Sequence, residues 1–306
     1  MTKTQKPQDE KINWRDSTAF ILVHLAALLV FWVGFSWVAL AALVITYGLR
    51  MFAITAGYHR YFSHRTFKTS RVFQFILGLI GASSAQKGPL WWASHHRHHH
   101  RYSDTEFDIH SPRQKGFWWA HLGWILCDKH KHPDRKLVPD LIKFPELKFL
   151  DKYHLLAPAA LAVTIFALGA TLNFFFPGLK TSGLQLLIWG FFLSTVLLYH
   201  GTFLVNSLTH VMGRRRFQTD DDSRNSLIIS LITLGEGWHN NHHRFPSSER
   251  QGFYWWEIDI SHYVLRFLGW FKIVWDLRKP PAKVYATSRV LKWPNRELLD
   301  SEFKSR

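Results

Sequence analysis

Between Ser17 and Leu49 the chain carries no Asp, Glu, Lys or Arg, and a second stretch free of them runs from Leu155 to Leu179. A helix crosses the hydrocarbon core of a bilayer in about 20 apolar residues, so both stretches are long enough to span one. As a single helix the first, carried on to Gly57, would be roughly 60 Å long at 1.5 Å per residue, about twice the thickness of that core. Two helices over about 17–36 and 38–57, joined by a tight turn near Gly34 and Ser36, fit better. Arg50 then lies close enough to the second helix end to snorkel to water. A second pair follows over about 155–176 and 184–207, around a Pro177-Gly178-Leu179-Lys180 turn. Each pair returns the chain to the side it left, which leaves 58–154 and 208–306 together on one side of the membrane.

The segment from Val72 to Leu90 is apolar enough to suggest a fifth span. A span there would separate the histidines around His59 from those around His96. Gly78, Gly81, Ser83 and Ser84 also weaken it as a lipid-facing helix, so it is expected to be re-entrant or to lie on the surface. The predicted fold is all-α and integral to the membrane. Residues 1–306 form one domain of four transmembrane helices in two hairpins, with a cytosolic helical cap.

Three histidine clusters sit on the polar side: His59 and His64; His96, His99 and His100; and His239, His242 and His243. In the last two the i, i+3, i+4 spacing sets three imidazoles on one helix face. His59 and His64, five residues apart, do not share a face of a straight α-helix, so a break between them is expected. Asn206 and His210 are i, i+4 at the inner end of the last span. A single His-x-x-His-His is weak, because His-rich surface tracts occur. Three clusters converging on one face of the membrane make a shared metal site the better reading. All-imidazole ligation suits iron, zinc, copper or nickel. A structural zinc needs only four ligands, whereas these candidates suffice for two ions with open positions. Two redox metals beside a membrane-embedded channel point to O₂ activation on an apolar substrate.

Composition narrows the chemistry further. The single cysteine, Cys127, excludes an internal disulfide, a Cys₄ zinc site and a cysteine-ligated iron–sulfur cluster, so electrons must come from another protein. The formal charge of +16 suits cytoplasmic loops and anionic headgroups or a carrier phosphate. No nucleic-acid recognition motif accompanies it, and no nucleic acid is expected as a partner. The mean hydropathy of -0.09 is too polar for a chain lying wholly in lipid. The polar N-terminus lacks the pattern of a cleaved signal, and the first apolar run is too long for one; it is expected to stay in place.

The stretches Ile54-Thr-Ala-Gly-Tyr-His-Arg60, Leu204-Val-Asn-Ser-Leu-Thr-His210 and Gly235-Glu-Gly-Trp-His-Asn-Asn-His-His243 resemble the membrane fatty acyl Δ9 desaturases, the stearoyl-CoA desaturase-like family. The resemblance covers roughly Ile54 to Gly252. It implies a di-iron centre (two Fe ions) ligated by His59, His64, His96, His99, His100, His210, His239, His242 and His243, with Asn206 reaching a metal through water. It further implies that Gln86, Trp92 and Thr202 bend the acyl tunnel, and that Tyr47 and Met51 close its far end. His24, His121 and His262 are then structural or surface groups. The implied reaction takes two hydrogens from adjacent methylenes of a saturated acyl chain, with O₂ ending as water and two electrons from a separate ferredoxin- or cytochrome-type donor. Animal acyl-CoA enzymes of this family carry Arg-Asp where this chain has Ser94-His95, and Arg-Lys where it has Asp128-Lys129. The carrier, CoA or membrane lipid, is therefore open, and the wording around His95–His100 and Gly116–His121 looks more bacterial, which implies a bacterial inner membrane. The competing readings are a di-iron fatty-acyl or alkane hydroxylase, and a metal-binding membrane protein without catalysis. Against the second, the spans carry almost no ionisable residues.

Overall fold

The computed structural model describes residues 7–288; the predicted body extends beyond them at 289–306. The chain is mostly helical. Three helices are long and apolar enough to cross a membrane: α2 (Trp37–Ser63), α6 (Leu156–Phe175) and α7 (Gly183–His210). The segment expected to be the first span, α1 (Thr18–Val33), is apolar but shorter. It is also interrupted, since Leu28 and Leu29 donate to Leu25 and Ala26 in three-residue turns instead of continuing the α-helical ladder. The described residues thus hold three span-length helices where four were expected.

The turn after α1 falls where the sequence suggests it. Gly34 has φ +71°, a left-handed conformation that glycine adopts without steric cost. Ser36 caps α2 by accepting the Ala39 N–H at 3.1 Å and donates to Gln185 Oε1 at 2.8 Å. Gln185 Nε2 and Trp189 Nε1 in turn donate to the carbonyls of Val33 and Gly34. The frayed end of α1 is therefore satisfied by α7 in a setting where water is scarce.

Arg50 corrects the expectation that it snorkels. Its side chain is buried, and its guanidinium donates to the Ser83 carbonyl, to Thr195 Oγ1 at 2.7 Å and to Ser194 Oγ. Ser194 and Thr195 of α7 and the Ser83 carbonyl place acceptors within its reach, so the cation turns inward.

The ambiguous apolar segment is a short helix, α3 (Arg71–Ala82), followed by an irregular stretch and then α4 (Pro89–Tyr102). At about 1.5 Å per residue α3 is too short to span. Pro89 at the first position of α4 and the Asp151 carboxylate accepting the Trp91 N–H at 2.8 Å start the helix. Asp151 closes on Gly88 so tightly that a Cβ there would overlap its backbone. Helices α3 and α4 pack against the carboxyl-terminal end of α2, and α5 (Pro145–Lys152) packs on α3 and α4, around a core that includes Tyr58, Phe62, Leu77, Leu90, Leu147 and Leu150. Two short helices complete the cap, α8 (His239–Arg244) and α9 (Ile260–Trp270), and Lys68–Thr69 pairs antiparallel with Val274–Trp275.

Candidate metal centre

Each histidine cluster is delivered by a helix whose local form suits its spacing. From Ala53 to Ser63 the end of α2 widens into a π-helix, and His64 donates its N–H to the His59 carbonyl at 3.3 Å. A five-residue turn of this kind returns to the same face, so His59 and His64 face inward together. The expected break is replaced by a change of helical pitch. In α4, His96, His99 and His100 share one face, while His95 bonds the Trp91 carbonyl and His98 the Phe107 carbonyl on other faces.

Charged side chains between the histidines hold the clusters to one another. Arg60, fully buried, bonds Asp259 Oδ1 at 2.9 Å and Glu236 Oε1 at 3.1 Å, which ties α2 to the α8 cluster. Arg97 donates to the carbonyls of Phe62 and Ser63 at 2.6 and 2.9 Å and to Asp140, clasping the carboxyl end of α2 to α4. Those carbonyls have no helical partner of their own.

The result gathers nine imidazoles into two groups whose ligand atoms lie within 4.8 Å of one another: His59, His64, His96, His100 and His242, and then His99, His210, His239 and His243. Within them the Nε2–Nε2 separations are 3.0 Å for His59–His242, 2.8 Å for His64–His96, 2.9 Å for His100–His242 and 3.0 Å for His210–His239. Two nitrogens bound at a right angle about 2.1 Å from one ion stand about that far apart. Asn206 lines the cavity beside the second group.

Carboxylates orient four of these rings from behind. Asp108 accepts from His99 Nδ1 at 3.0 Å, Asp104 from His210 Nδ1 at 2.8 Å, Asp221 from His243 Nδ1 at 2.6 Å, and Glu236 from His59 Nδ1. A proton held on Nδ1 leaves Nε2 as a lone pair directed into the group. His99 Nε2 and His243 Nε2 are buried without a hydrogen-bond partner, an arrangement that costs free energy unless a cation fills it. Burial, reinforced by neighbouring imidazoles, pushes His96, His100, His239 and His242 well below the ordinary histidine value. Burial likewise brings His243 down to about 4 against the pull of Asp221. Such rings are neutral at physiological pH, the form that binds metal. Burial alone would raise the Asp108 and Asp221 carboxyls, but His99 and His243 override it and hold both well below the carboxylate range. At His99 burial also acts downward but Asp108 overrides it and raises the ring; the residues present fit a metal centre in geometry.

These carboxylates were not singled out in the sequence, although Glu236 lies inside the Gly-Glu-Gly-Trp-His stretch. His110 was also missed; with His99 and Asp108 it offers a third group of ligand atoms, and its ring stacks on His99 at 4.2 Å. His24, His121 and His262 lie outside the two groups. His262 is held by Glu249, and His24 and His121 each bond His200.

A cavity of about 710 Å³, lined by Phe20, Trp91, Tyr199 and Phe203 among others, opens toward the centre. It shares Trp92, His96, Thr202 and Asn206 with a void of about 30 Å³ whose wall continues to Ile54 and Met51. Gln86 donates to Thr202 Oγ1 at 3.0 Å and accepts from Trp92 Nε1 at 3.3 Å, so these three residues form one bonded constriction between the two spaces. Tyr47 bonds the Ile232 carbonyl at 2.7 Å, and Tyr47 and Met51 meet over Gly201.

The profile of the fatty acid desaturase family matches residues 35–276. The chain belongs to that family. It is 37% identical over 270 residues to the sn-2 palmitoyl-lipid 9-desaturase of Nostoc sp. (strain 36), a match covering 86% of this chain and 90% of that one. It is 38% identical over 268 residues to Delta-9 acyl-lipid desaturase 1 of Arabidopsis thaliana, covering 86% and 82%. It is also 35% identical over 270 residues to the icosanoyl-CoA 5-desaturase of Limnanthes douglasii, covering 86% and 71%. The protein is accordingly a fatty acyl desaturase, and the hydroxylase and non-catalytic readings are not favoured. A metal cofactor follows from the family together with the two histidine groups.

The carboxylate–histidine pairs give this desaturase a measurable dependence. Asp108→Asn removes the charge behind His99, and metal affinity is expected to fall about 10- to 100-fold, read by competition with a chelator. Wild-type affinity in that variant would make Asp108 a bystander.

Proposed function

We propose that the protein introduces a cis double bond at the Δ9 position of a saturated fatty acyl chain, carried on CoA or on a membrane lipid. The observation that carries this reading is the pairing of two histidine groups with an apolar cavity that reaches them through the constriction at Gln86, Trp92 and Thr202. A chain bent there exposes one pair of methylenes to the centre and hides the rest. The nine histidines, with Asn206 through water, would hold two iron ions, which would supply the redox chemistry that couples O₂ reduction to hydrogen removal from an unactivated methylene. Overall the chain loses two hydrogens, two electrons and two protons enter from outside, and O₂ leaves as two waters.

The protein's own part is positional. His59, His99, His210 and His243 are locked by their carboxylates, and Trp92 packs on His96 with ring centroids 5.0 Å apart. Precise placement counts for much here, since a displacement of about 1 Å can cost on the order of 10²-fold in rate. Electrons come from a separate ferredoxin- or cytochrome-type donor. The direct test is fatty-acid analysis of cells expressing the protein, with and without a fed saturated acid: a new monoene is expected, and an alcohol retaining an O₂ atom would sink the desaturation reading.

The proposed topology is a single domain with four spans in two hairpins, α1 included, set in a bacterial inner membrane with both ends and the metal centre in the cytoplasm. It is supported by the basic segments near Arg65–Arg71 and Arg214–Arg216. Exposed Glu106 and Gln218 fall on the cytoplasmic side in this arrangement, and exposed Leu179 on the other. Single cysteines in place of Glu106 or Gln218 are expected to react with an impermeant thiol reagent only after cells are opened, and Leu179→Cys in intact cells. The reverse pattern would invert the topology.

A further inference from the structure

The stretch from Ser83 to Gly88, between α3 and α4, carries Gln86 to the constriction on turns that belong to neither helix. Ala85 and Lys87, on either side of Gln86, have φ of +57° and +62°. A side chain disfavours that left-handed region, so a turn with two such residues persists only where its surroundings hold it. Three side chains do so, each taking a carbonyl. Arg50 Nη1 of α2 donates to the Ser83 carbonyl at 3.4 Å, Tyr199 Oη of α7 to that of Ala85 at 3.0 Å, and Tyr58 Oη of α2 to that of Lys87 at 3.1 Å. The backbone is thus pinned at alternate residues, and the Gln86 side chain is pinned between them by Thr202 Oγ1.

Arg50 is the unusual pin. It is buried and forms no ion pair among the described residues; its partners are the Thr46 carbonyl at 3.2 Å, the Ser83 carbonyl, Thr195 Oγ1 at 2.7 Å and Ser194 Oγ. A cation between two span-length helices is expensive, and an apolar side chain would pack there without that cost. What the guanidinium adds is a rigid fork that reaches α7 and the turn at once, for Nη1 serves both Thr195 and Ser83. Thr195, Tyr199, Thr202 and Asn206 lie at helical spacing within the regular stretch Ser194–Ser207 of α7, and so share a face. That face bears, in order, the clamp to Arg50, the two contacts to the turn, and Asn206 beside the histidines. Thr202 and Asn206 stand about 6 Å apart along the axis at 1.5 Å per residue, so the helix acts as a ruler between the bend and the centre.

We propose that Arg50 is a positioning residue for desaturation: by clamping the Ser83–Gly88 turn to α7 it fixes Gln86 at the bend, and with it which pair of methylenes faces the metal centre. The inference rests on the reading of Gln86, Trp92 and Thr202 as the bend of the acyl tunnel, and adds to it a residue that lines neither of the two spaces. A turn that slips along α7 presents a neighbouring pair of methylenes. The signature is therefore a mixture of double-bond positions, which a loss of packing alone does not produce.

The test expresses the full chain in cells fed a saturated acid and locates the double bonds by mass spectrometry of dimethyl disulfide adducts. Arg50→Lys keeps the charge and loses the fork; Thr195→Val removes the acceptor on α7 at nearly constant volume; Thr195→Ser keeps it. Minor positional isomers are expected to rise roughly tenfold against the main product in the first two, the factor carried by one charge-assisted hydrogen bond. In Thr195→Ser they are expected to stay at the wild-type level. With the full-length protein in lipid discs, hydrogen exchange is read at the Ser84 and Ala85 amides, which bond the Gly81 and Ala82 carbonyls at 3.0 Å. It is expected to quicken in Arg50→Lys and Thr195→Val alone. Should Arg50→Lys fail to reach the membrane, Thr195→Val carries the test, with Thr195→Ser as its control. Lower yield or stability with an unchanged isomer ratio overturns the positioning role and leaves Arg50 to packing. Shifted isomers without faster exchange, or an equal shift in Thr195→Ser, overturn the clamp. A wild type that forms no monoene defeats the desaturase reading and this inference with it, whereas a monoene whose position ignores the variants defeats the inference alone.

Discussion

Replacing His242 by alanine is expected to abolish desaturation while leaving the protein in the membrane. His242 Nε2 stands 3.0 Å from His59 Nε2 and 2.9 Å from His100 Nε2, at the middle of the five-histidine group. No carboxylate fixes its other nitrogen, so its position comes from packing among those rings, and no neighbour can move in to replace it. Removing a partner that only supports a ligand typically costs 10–100-fold, so losing a ligand itself should cost on the order of a hundredfold or more. His99→Ala makes the same prediction for the four-histidine group and additionally deprives the buried Asp108 carboxylate of its side-chain hydrogen bond, leaving His110 as its neighbouring imidazole. The measurements are iron per chain after purification, expected to fall by about half in each variant, and product analysis in cells. Full activity in one variant would remove that residue from the centre, and full activity in both would end the two-metal assignment.

Met51→Ala is expected to shift the product ratio from 16- toward 18-carbon chains. Met51 is 1% exposed and lines the small void that Trp92 and Thr202 also border, with its methyl and the Tyr47 hydroxyl both close to Gly201. Truncating it enlarges a void of about 30 Å³, which under the proposed tunnel reading is where a longer chain would extend. Each methylene then buried contributes about 0.8 kcal/mol, so two would favour the stearoyl chain by roughly tenfold. The competing role is plain packing, for which methionine is well suited. A packing role predicts lower stability with an unchanged ratio of 16- to 18-carbon products, and the ratio therefore decides between them.

Much of the centre was readable in the sequence because its parts are local. The i, i+3, i+4 spacing in His96–His100 and His239–His243 already places three rings on a face, whatever else the chain does. Uncharged runs likewise announced apolar helices, and the demand that His59 and His96 meet was enough to reject a span at Val72–Leu90 before α3 was seen to be short. Where several residues had to act together, local pattern was insufficient. The spacing of His59 and His64 implied a break only under the assumption of α-helical pitch. The chain instead adopts five-residue turns, stabilised by what packs against Ala53–Ser63.

Arg50 shows the same limit from another side. Its neighbours in sequence are apolar and suggest a cation reaching for water, but its partners, Ser83, Ser194 and Thr195, lie 33 to 145 residues away. The four carboxylates behind the histidines are equally distant or lie in loops with no periodicity to betray them. By itself, then, the sequence determined the class of the protein, its apolar helices and the histidine clusters that the fold gathers, because helical periodicity and hydropathy are properties of a short window. Only the tertiary structure decided how those histidines divide into two groups, which acids orient them, and which residues wall the apolar cavity beside them. Each of these depends on contacts between segments that are far apart in the chain and are brought together by burial of the surfaces between them.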